Sequence, residues 1–257
     1  MRAIVTGGGS GIGRATCFRL NQDCLQREGK GAKIMVLDIV AERVEQVCAE
    51  LRAAGATVVG EVADVRLPEA CTNAVERAAA QFGGLDVLVN NAGRAKRVPL
   101  SELEVADWDE VFALNARAPW IVAKAAYPML KQSRGCIVSI GSVSGMHPQP
   151  GLGPYSPAKA AVIMLTQQMA LEWGPDGIRV NSVSPGVIHT PNVDWIYKDP
   201  ERKAARTKFI PKGRVGTPED IANVVAFLAG PDAEYLQGEN IVVDGAISLT
   251  AMAQLKG

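Results

Sequence analysis

Histidine is nearly missing: His147 and His189 are the only two in 257 residues. Imidazole metal centres and Ser-His-Asp hydrolysis therefore have few parts to draw on. Cysteine is sparse and unpatterned. Cys17, Cys24, Cys48, Cys71 and Cys136 are odd in number, scattered and without CxxC spacing. They read as reduced thiols in a cytoplasmic protein. Net charge is missing too, with 27 basic against 27 acidic side chains, where a nucleic-acid binder would show a basic face. No apolar run reaches the ~18 residues of a membrane span. The opening MRAIVTGGG has too short an apolar run for a signal peptide. The expectation is a chain without nucleic-acid, membrane or metal business.

What is present alternates. Short Val- and Ile-rich runs stand at 3–5, 34–38, 57–65, 85–90, 136–140, 178–184 and 240–244. Continuous hydrophobicity over such lengths suits parallel strands buried on both faces. Helix-period stretches lie between them near 11–28, 41–54, 68–82, 107–132, 157–173 and 218–229, several ending on Gly29, Gly55, Gly83 or Gly174. This alternation predicts an α/β fold, a doubly wound parallel sheet with helices on both faces. No linker or repeat divides the chain, so residues 1–257 are expected to form one domain. The long connection at 185–217 is expected to hold a functional lid, about 187–213.

TGGGSGIG (6–13) follows the first run and opens the first helix. Gly7, Gly11 and Gly13 permit a tight turn and close backbone approach, while Ser10, Ile12 and the helix N-terminus face the pyrophosphate of a dinucleotide. The acidic partner is expected about 20 residues on. Asp38 ends the second run but stands 25 residues past Gly13. Cys17, Leu20, Cys24 and Leu25 continue an inward spacing across the excess, so the first helix is expected to run about two turns longer than usual. Asp38 then reaches the adenosine ribose, accepts from its 2′-OH and repels a 2′-phosphate. Neither Ser10 nor Ile39 offers that phosphate a positive charge. NAD is favoured over NADP.

Together with the ADV of 63–65, NNAG (90–93), Asn115, Ser142, YSPAK (155–159), PGVIHT (185–190) and VDG (243–245), these residues resemble the short-chain dehydrogenase/reductase family, in its subgroup of about 250 residues. The likeness runs nearly end to end and implies a Rossmann-type fold. It further implies that Asp64 and Val65 meet adenine and that Asn91, Ala92 and Gly93 line the ribose. Pro185, Gly186, Val187 and Thr190 lie by the nicotinamide. It implies a homotetramer as well. Two departures stand out: the long first helix, and VDGA (243–246), where a second glycine is more usual.

The chemistry rests on four residues. Tyr155 removes a hydroxyl proton, although a free phenol with pKa about 10 is a poor base. Lys159, one turn along, the oxidised nicotinamide and the helix N-terminus are expected to acidify it. Pro157 costs little in a first turn and fixes the helix start near Tyr155. Ser142 holds the substrate oxygen, and Lys159 also binds the nicotinamide ribose. By the resemblance, the Asn115 carbonyl holds a water that relays protons to the lysine. Pro119, four residues on, has no N–H to give that carbonyl, so a kink is expected at 115–119. Val143, His147, Leu152 and Trp195 are candidate substrate walls. Seven basic residues between Asp194 and Arg214 suggest a lid that steers an anionic substrate, or merely a solvated surface. The reading is a hydride-transferring enzyme for a secondary alcohol or ketone. Alternatives are an NADPH-dependent 3-oxoacyl-carrier-protein reductase and a non-catalytic NAD-binding protein.

Overall fold

A computed structural model describes residues 1–250. The β-branched runs become strands β1 (Arg2–Thr6), β2 (Lys33–Asp38), β3 (Thr57–Val62), β4 (Val87–Asn90), β5 (Cys136–Ile140), β6 (Arg179–Pro185) and β7 (Asn240–Val243). They pair in parallel in the order β3-β2-β1-β4-β5-β6-β7. The chain moves outward from β1 on one side and then returns to the centre for β4. The loops leaving β1 and β4 therefore diverge and open a crevice at the carboxyl end of the sheet.

Helices α1 (Gly11–Glu28), α2 (Ala41–Ala53) and α3 (Pro68–Phe82) follow the first three strands. Next come α4 (Val105–Phe112), a π turn (Ala113–Arg117), α5 (Ala118–Ser133), α6 (Tyr155–Trp173), α7 (Asp194–Tyr197), α8 (Pro200–Thr207) and α9 (Pro218–Ala229). Side chains alternate along each strand and feed two cores. Ala3, Val5, Val87, Val89 and Val138 pack with Cys17 and Leu20 of α1, Val47 and Leu51 of α2 and Ile221 and Val225 of α9. Ile4, Leu88, Ile137 and Val180 pack on the other face with Ala74 and Val75 of α3, Val122 and Leu130 of α5 and Met169 of α6. Enclosing a side chain such as Leu20 or Leu88 contributes about 2 kcal/mol.

Helix α1 is as long as the spacing predicts, and Gly29 ends it in the left-handed region at φ 66°. Cys17, Leu20 and Cys24 are buried, but Leu25 is 41% exposed. Asn21 takes the inward place instead: its amide nitrogen donates to the Ala54 carbonyl and its oxygen accepts from the Ala32 N–H. The stretch expected as one helix over 107–132 is three pieces, because Pro119 interrupts the register and a π turn takes up the slack. Gly174 keeps helical angles; the left-handed stop falls at Gly177, after one 3₁₀ turn. The 185–217 connection contains α7 and α8, and Ile188 forms an isolated bridge with Gly216.

Candidate active site

The glycine-rich turn is shaped by what it cannot hold. Gly7 and Gly11 have φ of 62° and 52°, which side chains other than glycine adopt at a cost. A Cβ at Gly13 would run into the Gly7 carbonyl oxygen. Asn91 ties this turn to β4: its amide nitrogen donates to Thr6 O at 2.9 Å and Gly7 O at 3.1 Å. The Thr6 hydroxyl accepts from the Asn91 and Ala92 N–H groups. Ser10 is the N-cap of α1, yet no side chain caps the helix, and its first turn holds no acidic residue. Its leading N–H groups and partial positive charge are therefore open to an anion.

Asp38 is buried at the end of β2, with Oδ2 accepting from the Gly9 N–H at 3.0 Å and Oδ1 from Val40 at 3.1 Å. The carboxylate is thus held against the glycine turn. Ile39 and Arg43 line the same cavity. Arg43, in the first turn of α2, is a residue the sequence reading missed. Its distance from Asp38 is one helical entry, and counting that turn would have found it. Asp64 and Val65 lie on the loop after β3 at the same end, beside Arg66.

This cavity, about 480 Å³, runs from Asp38 and Asp64 past Gly7, Gly11 and Ile12 to Gly93, Tyr155 and Lys159. Thr190 and Pro191, where the lid begins, close one side over Gly11. The shape suits a long, two-ended ligand with an anionic middle, which is the form of a nicotinamide dinucleotide.

At the far end, α6 starts at Tyr155, two residues earlier than expected, with Pro154 as N-cap. Tyr155 therefore occupies the first helical position and Lys159 lies one turn on. The Lys159 Nζ stands 5.7 Å from the Tyr155 ring centroid and donates to the Ile140 carbonyl at 2.7 Å. Ser142 follows β5, and its Oγ accepts from the Ser144 N–H at 3.1 Å. Gly145 lets this turn press on α6: a Cβ there would lie 2.7 Å from the Lys159 carbonyl carbon. Asn115 is fully buried in the π turn, donating to Arg94 O at 2.9 Å and Val111 O at 3.0 Å. Its Oδ1 has no hydrogen-bond partner. A Cβ on Gly93 would sit 2.6 Å from that oxygen and 3.4 Å from Lys159 Nζ. A side chain at Gly93 would crowd both groups.

Burial raises the Tyr155 phenol above its ordinary value, and the hydrogen bond with Ser142 opposes the rise. Burial also lowers Lys159 from 10.5 to about 8. The acidified phenol expected from the sequence is therefore not a product of the tyrosine–lysine pair alone. Desolvation acts on both groups and favours their neutral forms.

The other expected residues divide. Pro185 ends β6, and Gly186 packs so closely on Asp244 that a Cβ would meet its Cβ at 2.6 Å. The Val187 carbonyl accepts from the Gly216 N–H. Val143 is half-buried in the turn after Ser142, and Leu152 is buried. His147 and Trp195 are exposed, and Arg202 lies over the Trp195 ring. None of these expected residues, Pro185, Gly186 and Val187 included, lines the cavity. His189 pairs with Asp194 at 2.9 Å. Among the described residues no group of three or more His, Cys, Asp or Glu is placed to hold a metal, and no helix is long and apolar enough to cross a membrane.

Comparison with known proteins agrees with this geometry. A family model described as enoyl-(acyl carrier protein) reductase matches residues 7–248. The chain is 37% identical over 251 residues to the (2S)-[(R)-hydroxy(phenyl)methyl]succinyl-CoA dehydrogenase subunit of Thauera aromatica, covering 97% of each. It is 36% identical over 245 residues to a 3-oxoacyl-[acyl-carrier-protein] reductase of Thermotoga maritima, covering 95% of this chain and 96% of the relative. A solved structure from Beutenbergia cavernae, described as an NAD(P)-dependent gluconate 5-dehydrogenase with bound NADP, superposes with a TM-score of 0.86 at 34% identity, covering 95% of each chain. With a parallel sheet, a glycine-rich first turn and a Tyr–Lys pair at the mouth of the sixth helix, the chain belongs to the short-chain dehydrogenase/reductase family of oxidoreductases.

Proposed function

We propose that this protein is an NAD-dependent oxidoreductase that moves a hydride between the nicotinamide and a secondary alcohol or its ketone. The observation that carries the reading is one cavity with Asp38 at one end and Tyr155 and Lys159 at the other. A bound dinucleotide supplies the hydride acceptor or donor and, when oxidised, a positive charge. The chain supplies the rest. The open N-terminus of α1, with Ser10, Gly11 and Ile12, binds the pyrophosphate. Asp38 accepts from the adenosine ribose, and Asp64 and Val65 hold the adenine. Asn91, Ala92 and Gly93 line the ribose, with Pro185, Gly186, Val187 and Thr190 beside the nicotinamide ring.

Ser142 Oγ orients the substrate oxygen, and Tyr155 Oη takes its proton in oxidation and returns it in reduction. Lys159 Nζ orients the ribose and steadies the phenolate. Asn115 passes protons towards Lys159 through a water on its main-chain carbonyl. Val143, His147, Leu152 and Trp195 are assigned to substrate contact once the lid at about 187–213 closes.

A second reading has one observation in its favour. Arg43 lines the cavity near Asp38 and would face a 2′-phosphate, so NADP is the alternative cofactor. The relatives' names cover a coenzyme A thioester and a carrier-protein thioester, and the basic lid suits an anionic substrate of that kind. We further assign the protein to the cytoplasm as a homotetramer. Exposed Trp120 on α5 and Met164 and Leu171 on α6 support assembly through those helices.

The test is Tyr155→Phe. Turnover in a screen of alcohols and ketones should be lost, while NAD still binds with unchanged affinity. Retained turnover would remove Tyr155 from the chemistry.

A further inference from the structure

Three charged residues that the mechanism does not use join Asp64 in a continuous chain along one wall of the cavity. Arg66, on the loop after β3, embraces Asp64: its Nε lies 3.0 and 2.9 Å from Oδ1 and Oδ2, and its Nη2 lies 2.7 Å from Oδ2. Its remaining nitrogen, Nη1, reaches Glu110 Oε1 on α4 at 3.0 Å. The other oxygen of Glu110, Oε2, pairs with Arg94 Nη2 at 2.7 Å. Arg94 then presents its main-chain carbonyl to Asn115 Nδ2 at 2.9 Å. All four charged residues line the cavity.

Isolated half-exposed ion pairs are weak and salt-sensitive. This arrangement differs because one carboxylate holds two guanidinium groups, one on each oxygen, so a displacement of either arginine is felt by the other. It also ends on a buried side chain in an irregular element of the helix. Asn115 lies in a π turn directly after α4, the irregularity by which the chain accommodates Pro119. Glu110 is on the last turn of α4, three residues before that π turn.

We propose that Glu110 is a positioning residue: the Asp64–Arg66–Glu110–Arg94 strap couples occupancy of the adenine end of the cavity to the conformation of the π turn that holds Asn115. The inference rests on the dinucleotide reading for the identity of what fills the adenine end. A ligand seated on Asp64 fixes Arg66, Arg66 fixes Glu110, and Glu110 fixes both α4 and the Arg94 carbonyl that orients Asn115. The proton-relay end is thereby set in order when the far end of the ligand is in place.

The test uses adenosine 5′-monophosphate, which fills the adenine end and carries no nicotinamide, with amide hydrogen exchange as the readout. In the wild type, saturating nucleotide should slow exchange across 113–118 about threefold or more. Glu110→Gln and Arg94→Gln should still bind the nucleotide by calorimetry but lose that slowing. Lys96→Gln, which removes the separate Lys96–Asp107 pair at 2.9 Å between the same loop and α4, should keep it. The strap is overturned if wild-type exchange at 113–118 ignores the nucleotide, if Glu110→Gln retains the slowing, or if Lys96→Gln loses it equally. Failure of the nucleotide to bind the wild type at all would strike the dinucleotide reading and take the strap with it. Nucleotide binding with a dispensable Tyr155 would strike the catalytic reading and leave the strap standing.

Discussion

Lys159 is only 4% exposed, with its ammonium on the Ile140 carbonyl and no carboxylate beside it among the described residues. Burial draws its pKa from 10.5 to about 8. The unfolded chain keeps that proton until about pH 10.5, whereas the folded protein releases it above pH 8. Between those values unfolding takes up a proton, so stability rises with pH; below 8 the fold carries the full cost of a buried cation, on the order of 3 kcal/mol. Lys159→Met keeps the stem and discards the charge. The variant should be inactive yet more stable than wild type in urea at pH 7, by about 1–3 kcal/mol. It should also lack the wild-type rise in stability between pH 8 and 10. A less stable variant with the same pH slope would mean that burial of the charge is not the cost. The identity of this lysine was legible because Tyr155, Lys159 and Ser142 stand at telling spacings in the sequence. The direction of its pKa was not. A four-residue spacing says that two groups share a face, but not how much water either keeps. The contacts linking Arg66, Glu110 and Arg94 were illegible for a related reason: the partners sit on different loops and helices, and only the fold brings them together.

At the level of elements, the strands and most helices could be read because hydrophobic period, glycine stops and Pro at helix starts are local signals. Where the reading failed, a neighbour in space decided the matter. The π turn at Ala113–Arg117 could be anticipated only as a kink, because Pro119 announces a lost hydrogen bond without saying how the helix absorbs it. The VDGA turn after β7 is a case where the sequence held the clue without its meaning. Gly245 and Ala246 are consecutive left-handed residues, with φ of 64° and 70°. Asp244 holds the turn, accepting from the Ala246 N–H at 2.8 Å and the Ser248 N–H at 2.9 Å. The end of the lid leans on it too, through Lys212 N–H to Gly245 O at 3.1 Å. An alanine in that region carries strain of about 1 kcal/mol that glycine would not. Ala246→Gly should therefore stabilise the protein by about 0.5–1 kcal/mol and raise its melting midpoint by roughly 2 °C. The opposite result, a drop of similar size, would show that the methyl group packs better than the backbone suffers.

Across the whole molecule, the doubly wound parallel sheet followed from alternation and the family resemblance, and the comparisons with known proteins agree. The strand order is seen only in the fold. Cofactor preference is the property that local reading leaves most exposed, because it is a contest between Asp38 and Arg43 within one neutral protein. With 27 charges of each sign there is no global field to favour the more anionic NADP, so the choice falls to the groups at the adenosine ribose. Asp38 is buried and fixed by two backbone N–H groups, whereas Arg43 is exposed. On the proposed reading, with Asp38 beside the 2′ position, a fixed, poorly hydrated carboxylate repels a phosphate more than a solvated guanidinium attracts it. Binding to the folded state alone raises stability by about 2.7 kcal/mol at 100 times Kd, and a chain of this size gains roughly 2–4 °C per kcal/mol. NAD at that excess should lift the melting midpoint by about 5–10 °C, and NADP at the same concentration by clearly less. Asp38→Ala should narrow the gap, and Arg43→Ala should reduce only the NADP shift. If NADP instead raises the wild-type midpoint as much as NAD does, Arg43 governs the ribose end and the role given to Asp38 falls.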